Sequence, residues 1–328
     1  MSVAVELQCL EQDRDMKLTA AVIQNSTVLL DTPATVERAL ALMKEAAAQG
    51  AQVVVFPEAF IGGYPKGADF HIYLGGRTPQ GRAEFKAYFD AAVSVDGQEV
   101  RLLAQAAMEH SLYVCIGIIE RDGGTLYCTA VYLGPDGQVL GKHRKLMPTA
   151  LERLIWGFGD GSTLKAVDTP FGKMGAVICW ENYMPALRMA MYQQRIALYC
   201  APTADDRDTW IGTMQHIAME GRCFVLSSCQ HLRRSDFPSD QMNNRLPEAP
   251  DTVLMRGGSV IIDPMGKILA GPIRDKDALL TAELDLDAIP MGQLDFDVVG
   301  HYARPDVFSL QVNTAVQSAV SFVERLSS

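Results

Sequence analysis

The sequence lacks the usual spacings by which proteins hold metal ions, phosphates or an activated serine. It contains no His-Glu-x-x-His, no phosphate loop ending in Gly-Lys-Ser/Thr and no Gly-x-Ser-x-Gly elbow. Its six histidines are dispersed, without metal-ligand spacing. Gly157, Gly159 and Gly161 alternate as in a dinucleotide-binding loop, but no strand that feeds a helix precedes them. We therefore predict a tight turn there, and no metal site.

Long apolar runs and an excess of positive charge are also missing. No segment approaches the ~18 apolar residues of a membrane span, and residues 1–16 lack the apolar stretch of a secretory signal. The net charge is −10, with only 29 Lys and Arg residues. This balance argues against nucleic acid or a membrane surface as a partner. We expect residues 1–16 to be a loosely ordered extension.

The seven cysteines form no Cys-x-x-Cys pair. Their odd number and their apolar, strand-like settings are typical of reduced thiols in the cytoplasm, where we expect this protein to be. Most of them are expected to be small buried hydrophobic residues. They are Cys9, Cys115, Cys128, Cys179, Cys200, Cys223 and Cys229.

Apolar runs that predict strands alternate with amphipathic segments that predict helices. Residues 53–56 form a β-branched, fully apolar run, as in a buried strand. Thr32 and Pro33 predict the start of a helix, with Thr32 as its N-cap and Gly50 after its end. By the same patterns we predict strands at 18–24, 113–119, 125–133, 138–143, 174–178, 196–200, 224–229, 259–262 and 267–270, and helices at 98–110, about 184–194 and about 210–222.

No linker or low-complexity stretch divides the chain. The polar, proline-containing segment 232–255 is interpreted as a surface insertion. Sheets of buried strands with interleaved helices must be covered on one or both faces. The pattern therefore predicts one α/β domain in which two sheets are stacked between layers of helices.

Three predicted strands end next to residues that do not belong in a core: Glu58, Lys145 and Cys179. Reactive groups gather where the strands of stacked sheets end. A free cysteine is only a few per cent thiolate at neutral pH, so a carboxylate that takes its proton would activate it. An ammonium can stabilise the charge that develops on the attacked group.

Each of the three residues also has an ordinary structural explanation. A buried free cysteine is common, Glu58 could be a solvated loop carboxylate, and Lys145 could belong to a surface run of charges. Spacing alone does not show that the three side chains converge.

Three stretches of the sequence resemble, in order, the signature blocks of the nitrilase (carbon–nitrogen hydrolase) superfamily. They are Phe56-Pro57-Glu58-Ala59, Lys145-Leu146-Met147-Pro148-Thr149 and Cys179-Trp180-Glu181-Asn182. Further matching blocks are Glu152-Arg153, Trp156-Gly157-x-Gly159-Asp160-Gly161-Ser162, Ala201-Pro202-Thr203-Ala204-Asp205 and His301-Tyr302-x-Arg304-Pro305-Asp306. The resemblance covers roughly residues 17–308, and so many ordered blocks make it specific.

The resemblance implies roles for individual residues. Cys179 matches the nucleophile, Glu58 the general base and acid, and Lys145 the cation beside the tetrahedral intermediate. Glu152 matches the second glutamate, which orients the lysine. The backbone N–H of Trp180 would complete the oxyanion site.

Residues around these four receive weaker assignments. Glu181 is expected to shape the site or to hold its loop, and Lys142 and Arg144 are interpreted as exposed strand charges. The aromatic residues that we expect to line the substrate pocket are Trp180, Tyr64, Phe60 and Trp156.

The superfamily fold is a four-layer α-β-β-α sandwich, in agreement with the pattern of elements. The resemblance implies a single catalytic domain at 17–308 and a tail at 309–328 that contacts other subunits. Members of the superfamily pair so that the sandwich continues across subunits, and nitrilases often extend into spirals. We accordingly expect a homodimer or a higher homo-oligomer.

The implied function is hydrolysis of a small-molecule nitrile to carboxylic acid and ammonia through thioimidate and thioester intermediates, without metal or organic cofactor. An amidase or carbamoylase that uses the same four residues is the nearest alternative, although many of those relatives have aspartate at the position of Glu181. A cyanide-degrading enzyme and a non-catalytic assembly protein are further alternatives. The sequence leaves open whether the nitrile is aliphatic, aromatic, arylacetic or cyanide itself.

Overall fold

The computed structural model describes residues 17–237, 242 and 245–320. Within these residues the chain forms strands wherever short β-branched or apolar runs occur. They are β1 (Lys17–Gln24), β2 (Val53–Val55), β3 (Tyr113–Asp122), β4 (Thr125–Leu133), β5 (Val139–Arg144), β6 (Val167–Thr169), β7 (Gly172–Ala176), β8 (Ile196–Thr203), β9 (Phe224–Cys229), β10 (His231–Arg233), β11 (Val253–Arg256), β12 (Val260–Ile262), β13 (Ile268–Ala270) and β14 (Ala278–Asp285).

Two six-stranded sheets contain most of these strands. The first has the order β14-β1-β2-β3-β4-β5, and the second has the order β13-β12-β9-β8-β7-β6. Strands β1, β2 and β3 run parallel to one another, as do β7, β8 and β9. The remaining pairs within both sheets are antiparallel. Both sheets are thus mixed, and each contains a run of three parallel strands.

Six helices lie in the described part of the chain. They are α1 (Thr32–Ala48), α2 (Pro79–Ala91), α3 (Gln98–Glu109), α4 (Pro185–Tyr192), α5 (Thr209–Gly221) and α6 (Ala288–Gln293). Short 3-10 segments occupy Ala150–Leu154, Gly161–Thr163, Cys179–Tyr183 and Arg234–Asp236.

Three apolar clusters hold the layers together. One lies between the two sheets, a second joins α1 and α3 to the outer face of the first sheet, and a third joins α4 and α5 to the outer face of the second. Because each central strand is buried on both faces, its residues alternate between the inner and an outer cluster; Val53 and Val55 face inward while Val54 faces α1 and α3. This confirms the predicted four-layer α-β-β-α sandwich.

Several element predictions were wrong in detail. The N-cap of α1 is Asp31, whose side chain accepts from the Ala34 N–H, and Thr32 is the first helical residue. Neither α2 nor β14 was predicted. Helix α2 buries only Gly81, Glu84, Tyr88 and Ala91, so it has no continuous apolar stripe. Strand β14 buries only Leu280 and Leu284 and forms an outer edge of its sheet.

Lys142 and Arg144 are not simply exposed charges. Both are partly buried on the outer face of β5, where they bind the buried carboxylate of Glu120. Arg144 also stacks on Tyr127, with its guanidinium carbon 4.0 Å from the ring centroid. His143 lies on the inward face of the same strand. Lys145, two residues later, lies on that face as well.

The predictions for the two chain ends and for segment 232–255 can be compared with the structure only in part. Residues 1–16, most of 238–244 and residues 321–328 lie outside the described residues. The segment 232–255 contains most of a short antiparallel pair of strands, β10 and β11, which the polar composition did not predict. Residues 309–320 contain no helix or strand and are exposed throughout. Among the residues that the structure describes, no helix is long and apolar enough to cross a membrane.

Candidate active site

Glu58 is placed by a close passage of backbone over strand β3. Strand β2 ends at Val55, and the next residues cross Gly117 so closely that a Cβ atom there would lie 2.3 Å from the Pro57 carbonyl oxygen and 2.8 Å from the Glu58 Cα. The Gln230 side chain donates to the Glu58 carbonyl oxygen at 3.0 Å. The Glu58 side chain is buried as a result, with 1% of the residue exposed.

Lys145 follows the last residue of β5 and reaches two glutamates. Its Nζ donates to Glu58 Oε1 at 2.6 Å and to Glu152 Oε2 at 2.9 Å. Glu152 lies on the 3-10 segment Ala150–Leu154 and also accepts from the Thr149 N–H at 2.6 Å and the Tyr64 hydroxyl at 2.8 Å. Tyr64 thus fixes Glu152, and Glu152 fixes the ammonium.

Cys179 comes from the second sheet, three residues after β7 ends. Its φ of 51° lies in the left-handed region, which is uncommon for a non-glycine residue and is sustained here by its neighbours. The Asn182 amide donates to the carbonyl oxygens of Cys179 and Val177, at 2.8 Å each. The Thr203 hydroxyl donates to the Cys179 Sγ at 3.3 Å. The turn therefore presents a buried thiol in a fixed orientation.

Burial and charge set the protonation states. Burial raises the pKa of the Cys179 thiol to about 12, and the negative charge of Glu58 adds to this rise. Burial also raises the pKa of Glu58, against the opposing effect of Lys145. Burial disfavours the Lys145 ammonium, but the facing Glu58 holds its pKa well above the usual range. The resting site therefore holds a protonated thiol beside a lysine–glutamate ion pair.

The two oxygens of Glu58 have different surroundings. Oε1 accepts from Lys145 and, at 3.5 Å, from the Cys128 thiol. Oε2 is buried and has no hydrogen-bond partner in the described part of the chain. Burial raises the pKa of Cys128 well above its usual range, so this second thiol remains a donor. Oε2 is consequently the oxygen that is free to accept a proton.

The predicted pocket aromatics are placed in three different ways. Tyr64 and Trp156 pack edge to face beside Lys145, whose Nζ is 5.7 Å from the Trp156 ring centroid. Trp180 is 42% exposed and its indole donates to Asp205 at 2.9 Å. Phe60 does not line the pocket as predicted. It is fully buried with Phe56 in the apolar cluster between the first sheet and its helices. Ala59, with a φ of 50°, turns the chain so that Phe60 faces the helices.

A cavity of about 490 Å³ opens beside Glu152, and Glu58, Lys145 and Cys179 do not line it. Tyr64 and Trp156 form part of its wall, together with the loop that follows Tyr64 and the segment 149–155. No group of three or more His, Cys, Asp or Glu side chains in the described residues is arranged to hold a metal ion. The arrangement can perform nucleophilic and acid–base chemistry on a small molecule.

Sequence reasoning missed three residues that touch the candidate catalytic groups: Cys128, Thr203 and Gln230. Thr203 lies within a matching block, Ala201 to Asp205, which was a usable signal. Cys128 follows the pattern of a buried strand hydrophobe, and Gln230 stands just after strand β9. The local sequence pattern does not identify Cys128 or Gln230 as site residues, because their contacts with Glu58 join segments that are distant in sequence.

Comparisons with known proteins agree with this chemistry. Residues 19–290 match the carbon-nitrogen hydrolase family. The chain is 64% identical over 304 residues to an aliphatic nitrilase of Sinorhizobium fredii (strain HH103), covering 93% of this chain and 98% of that protein. It is 54% identical over 311 residues to a bifunctional nitrilase/nitrile hydratase of Nicotiana tabacum, covering 94% of this chain and 89% of that protein.

The fold has solved counterparts at much lower identity. The C. elegans NitFhit protein superposes with a TM-score of 0.69 at 19% identity, covering 92% of this chain and 69% of that one. A likeness at this level of identity concerns the fold alone.

Proposed function

The chain belongs to the carbon–nitrogen hydrolase family, and from this membership we propose that it hydrolyses nitriles through a covalent intermediate on Cys179. Identity of 64% with an aliphatic nitrilase over almost the whole chain supports the reaction. The observation that supports the mechanism is the convergence of a buried thiol, a buried carboxylate and a buried ammonium, in which the thiol of Cys179 interacts with both Glu58 and Lys145.

The first half of the reaction forms the carbon–sulfur bond. Glu58 Oε2 takes the thiol proton as Cys179 Sγ attacks the nitrile carbon, and the same proton passes to the nitrile nitrogen to give a thioimidate. Lys145 and the Trp180 N–H stabilise the developing negative charge. Because the pKa of the resting thiol is about 12, attack requires this concerted transfer to Glu58.

The second half consumes two water molecules. The first adds to the thioimidate carbon while Glu58 takes one of its protons and passes it to nitrogen. The hydroxyl proton of the tetrahedral intermediate then also moves to nitrogen, so that ammonia leaves and a thioester remains. The second water hydrolyses the thioester to the carboxylic acid and restores the thiol. The overall change is one nitrile and two waters to one acid and one ammonia.

The substrate class is proposed to be a small aliphatic nitrile. The similarity to an aliphatic nitrilase supports this choice. Amide is a second product to be expected in small amount, since a relative at 54% identity bears the name of a bifunctional nitrilase/nitrile hydratase. If sulfur rather than nitrogen leaves the tetrahedral centre, the amide is released.

The test is a substrate panel with pure enzyme. Aliphatic, aromatic and arylacetic nitriles, cyanide and the matching amides are incubated separately, and acid, amide and ammonia are quantified. We expect turnover of aliphatic nitriles with acid as the main product. Hydrolysis of amides without turnover of any nitrile would overturn the proposal in favour of an amidase.

We also propose a homo-oligomer, a dimer or larger, in the cytoplasm. The exposed apolar side chains of the C-terminal segment support subunit contacts, among them Phe308 at 77% and Val316 at 76% exposure. The catalytic domain is proposed to span residues 17–308, with 309–328 as a contacting tail.

A further inference from the structure

A buried carboxylate outside the catalytic set connects the nucleophile turn to the strand that carries the lysine. Glu181 Oε2 accepts from the Ile178 N–H at 2.9 Å, and Oε1 accepts from the Leu146 N–H at 2.6 Å. Ile178 immediately precedes Cys179, and Leu146 immediately follows Lys145. Glu181 itself is 1% exposed.

His143 completes the surroundings of this carboxylate. Its Nε2 lies 3.1 Å from Glu181 Oε2 and 3.3 Å from Oε1, and the ring is 1% exposed. Both backbone partners of Glu181 are N–H donors, so both carboxylate oxygens act as acceptors. The histidine must then donate from Nε2, while its buried Nδ1 has no partner in the described residues.

The two ends that Glu181 joins belong to different sheets. Lys145 extends the first sheet and Cys179 follows a strand of the second, so their separation depends on how far one layer is free to slide against the other. Direct hydrogen bonds from one carboxylate to both backbones remove that freedom. A misplacement of ~1 Å between reacting groups can cost ~10²-fold in rate.

We propose that Glu181, supported by His143, is a positioning residue that fixes the distance between the Cys179 thiol and the Lys145 ammonium during nitrile hydrolysis. The inference rests on the proposed function. Glu181 touches neither the thiol nor the ammonium and acts through the backbone of their neighbours.

A glutamine at this position is a sharp test because it has nearly the shape of glutamate. Glu181→Gln replaces one acceptor oxygen with an NH2 group, which then faces a backbone N–H, so one of the two attachments must break. Glu120→Gln is the matched control. Glu120 is also a buried carboxylate with several donors, but it binds Lys142 and Arg144 on the opposite face of β5.

The measurements are kcat, KM and the ratio of acid to amide, with thermal unfolding of each variant. We expect Glu181→Gln to lower kcat ~10²-fold with KM changed less than about threefold, and to raise the amide fraction. The product ratio and KM do not depend on how much enzyme is folded, so a merely structural loss would leave both unchanged. Glu120→Gln is expected to lower the unfolding temperature while keeping kcat and the product ratio close to wild type.

Glu181→Asp decides the matter if the glutamine variant does not fold. It keeps the charge but is one methylene shorter, so it can hold one backbone N–H and not both. A lowered kcat with an altered product ratio supports the proposal. Wild-type kcat and product ratio in a folded Glu181 variant would overturn it, whereas a wild-type enzyme without nitrile turnover would overturn the proposed function instead.

Discussion

At the scale of single residues, burial and neighbouring charges set the protonation states of the proposed catalytic groups. The thiol of Cys179 and the carboxyl of Glu58 both have a raised pKa because desolvation disfavours their charged forms. Lys145 keeps its charge because Glu58 faces it. A protonated thiol is a poor nucleophile, so we expect Cys179 to react only when Glu58 can take its proton.

The first prediction concerns pH. Glu58 must be ionised to act as a base, and its pKa is raised, so kcat/KM should fall with decreasing pH at a pH above the ~4.3 of an ordinary glutamate. The measurement is the pH profile of kcat/KM on an aliphatic nitrile, checked for reversible inactivation. An acid limb at or below the ordinary glutamate value would contradict the raised pKa.

The second prediction concerns the nucleophile. Cys179→Ala should fold normally but lose all turnover, because no other group in the site can form the covalent intermediate. Intact-mass spectrometry of the wild type with a slow substrate should locate an adduct on Cys179. Cys128→Ala is the control, since Cys128 is buried nearby and contacts Glu58. An adduct on Cys128, or turnover by Cys179→Ala, would refute the assignment.

The third prediction separates charge from geometry at Lys145. Arginine keeps the positive charge but replaces the compact ammonium that binds Glu58 and Glu152 with a larger planar fork, whose donors are placed differently. Lys145→Arg should lower kcat at least ~10²-fold, as for a lost oxyanion donor. Steady-state kinetics with circular dichroism provide the check, and a near-normal kcat would show that the lysine is peripheral.

At the scale of elements, the site depends on where strands end and on what lets the chain turn there. The passage of Pro57 to Ala59 over Gly117 is the tightest of these places. In Gly117→Ala, the added methyl would lie 2.3 Å from the Pro57 carbonyl oxygen and 2.6 Å from the Ala59 nitrogen, so the backbone that carries Glu58 must move.

The fourth prediction follows from this contact. Gly117→Ala should reduce kcat by ~10²-fold or more and should also lower the unfolding temperature, because both the base and a central strand are displaced. Gly124→Ala is the control; it lies in the hairpin between β3 and β4, and an added methyl there meets no atom within 4 Å. Equal activities of the two variants would contradict the packing argument.

The elements also show what the sequence could and could not predict. Val53–Val55 and Phe224–Cys229 are buried on both faces, and strands were predicted at both places. Helix α2 was missed because its buried residues include Gly81 and Glu84, which no hydrophobic period contains. The positive φ of Ala59 turns the chain between Glu58 and Phe60, so that Phe60 faces the helices. A pattern of apolar residues does not reveal such a backbone angle.

The site was predictable to the extent that it lies at strand ends. Glu58, Lys145 and Cys179 follow strands and match family blocks, and the structure brings them together. Cys128 and Gln230 touch Glu58 only because segments distant in sequence become neighbours, so no local pattern could identify them.

At the scale of the whole molecule, the C-terminal segment is the feature that a single chain does not explain. Residues 304–320 are exposed throughout, and Phe308, Leu310 and Val312 alternate with polar residues as in a strand that pairs with another surface. Solvent-exposed apolar side chains in such a row favour contact with a further copy of the chain.

The fifth prediction is the oligomeric state. Light scattering at micromolar concentration should give at least twice the monomer mass, and deletion of residues 309–328 should shift the distribution to smaller species without unfolding the domain. A single monomeric mass for the intact chain would refute the prediction. An unchanged mass after the deletion would assign the contacts to other surfaces.

The origin of the catalytic groups in two different sheets has a consequence for how the enzyme fails. Glu58 and Lys145 move with the first sheet, and Cys179 and Thr203 move with the second. A slip of ~1 Å between the layers would separate the thiol from its base while every strand remains intact. Gentle warming or dilute denaturant should therefore abolish activity before either sheet unfolds. Turnover is then a more sensitive measure of the alignment of the two layers than circular dichroism, which reports secondary structure.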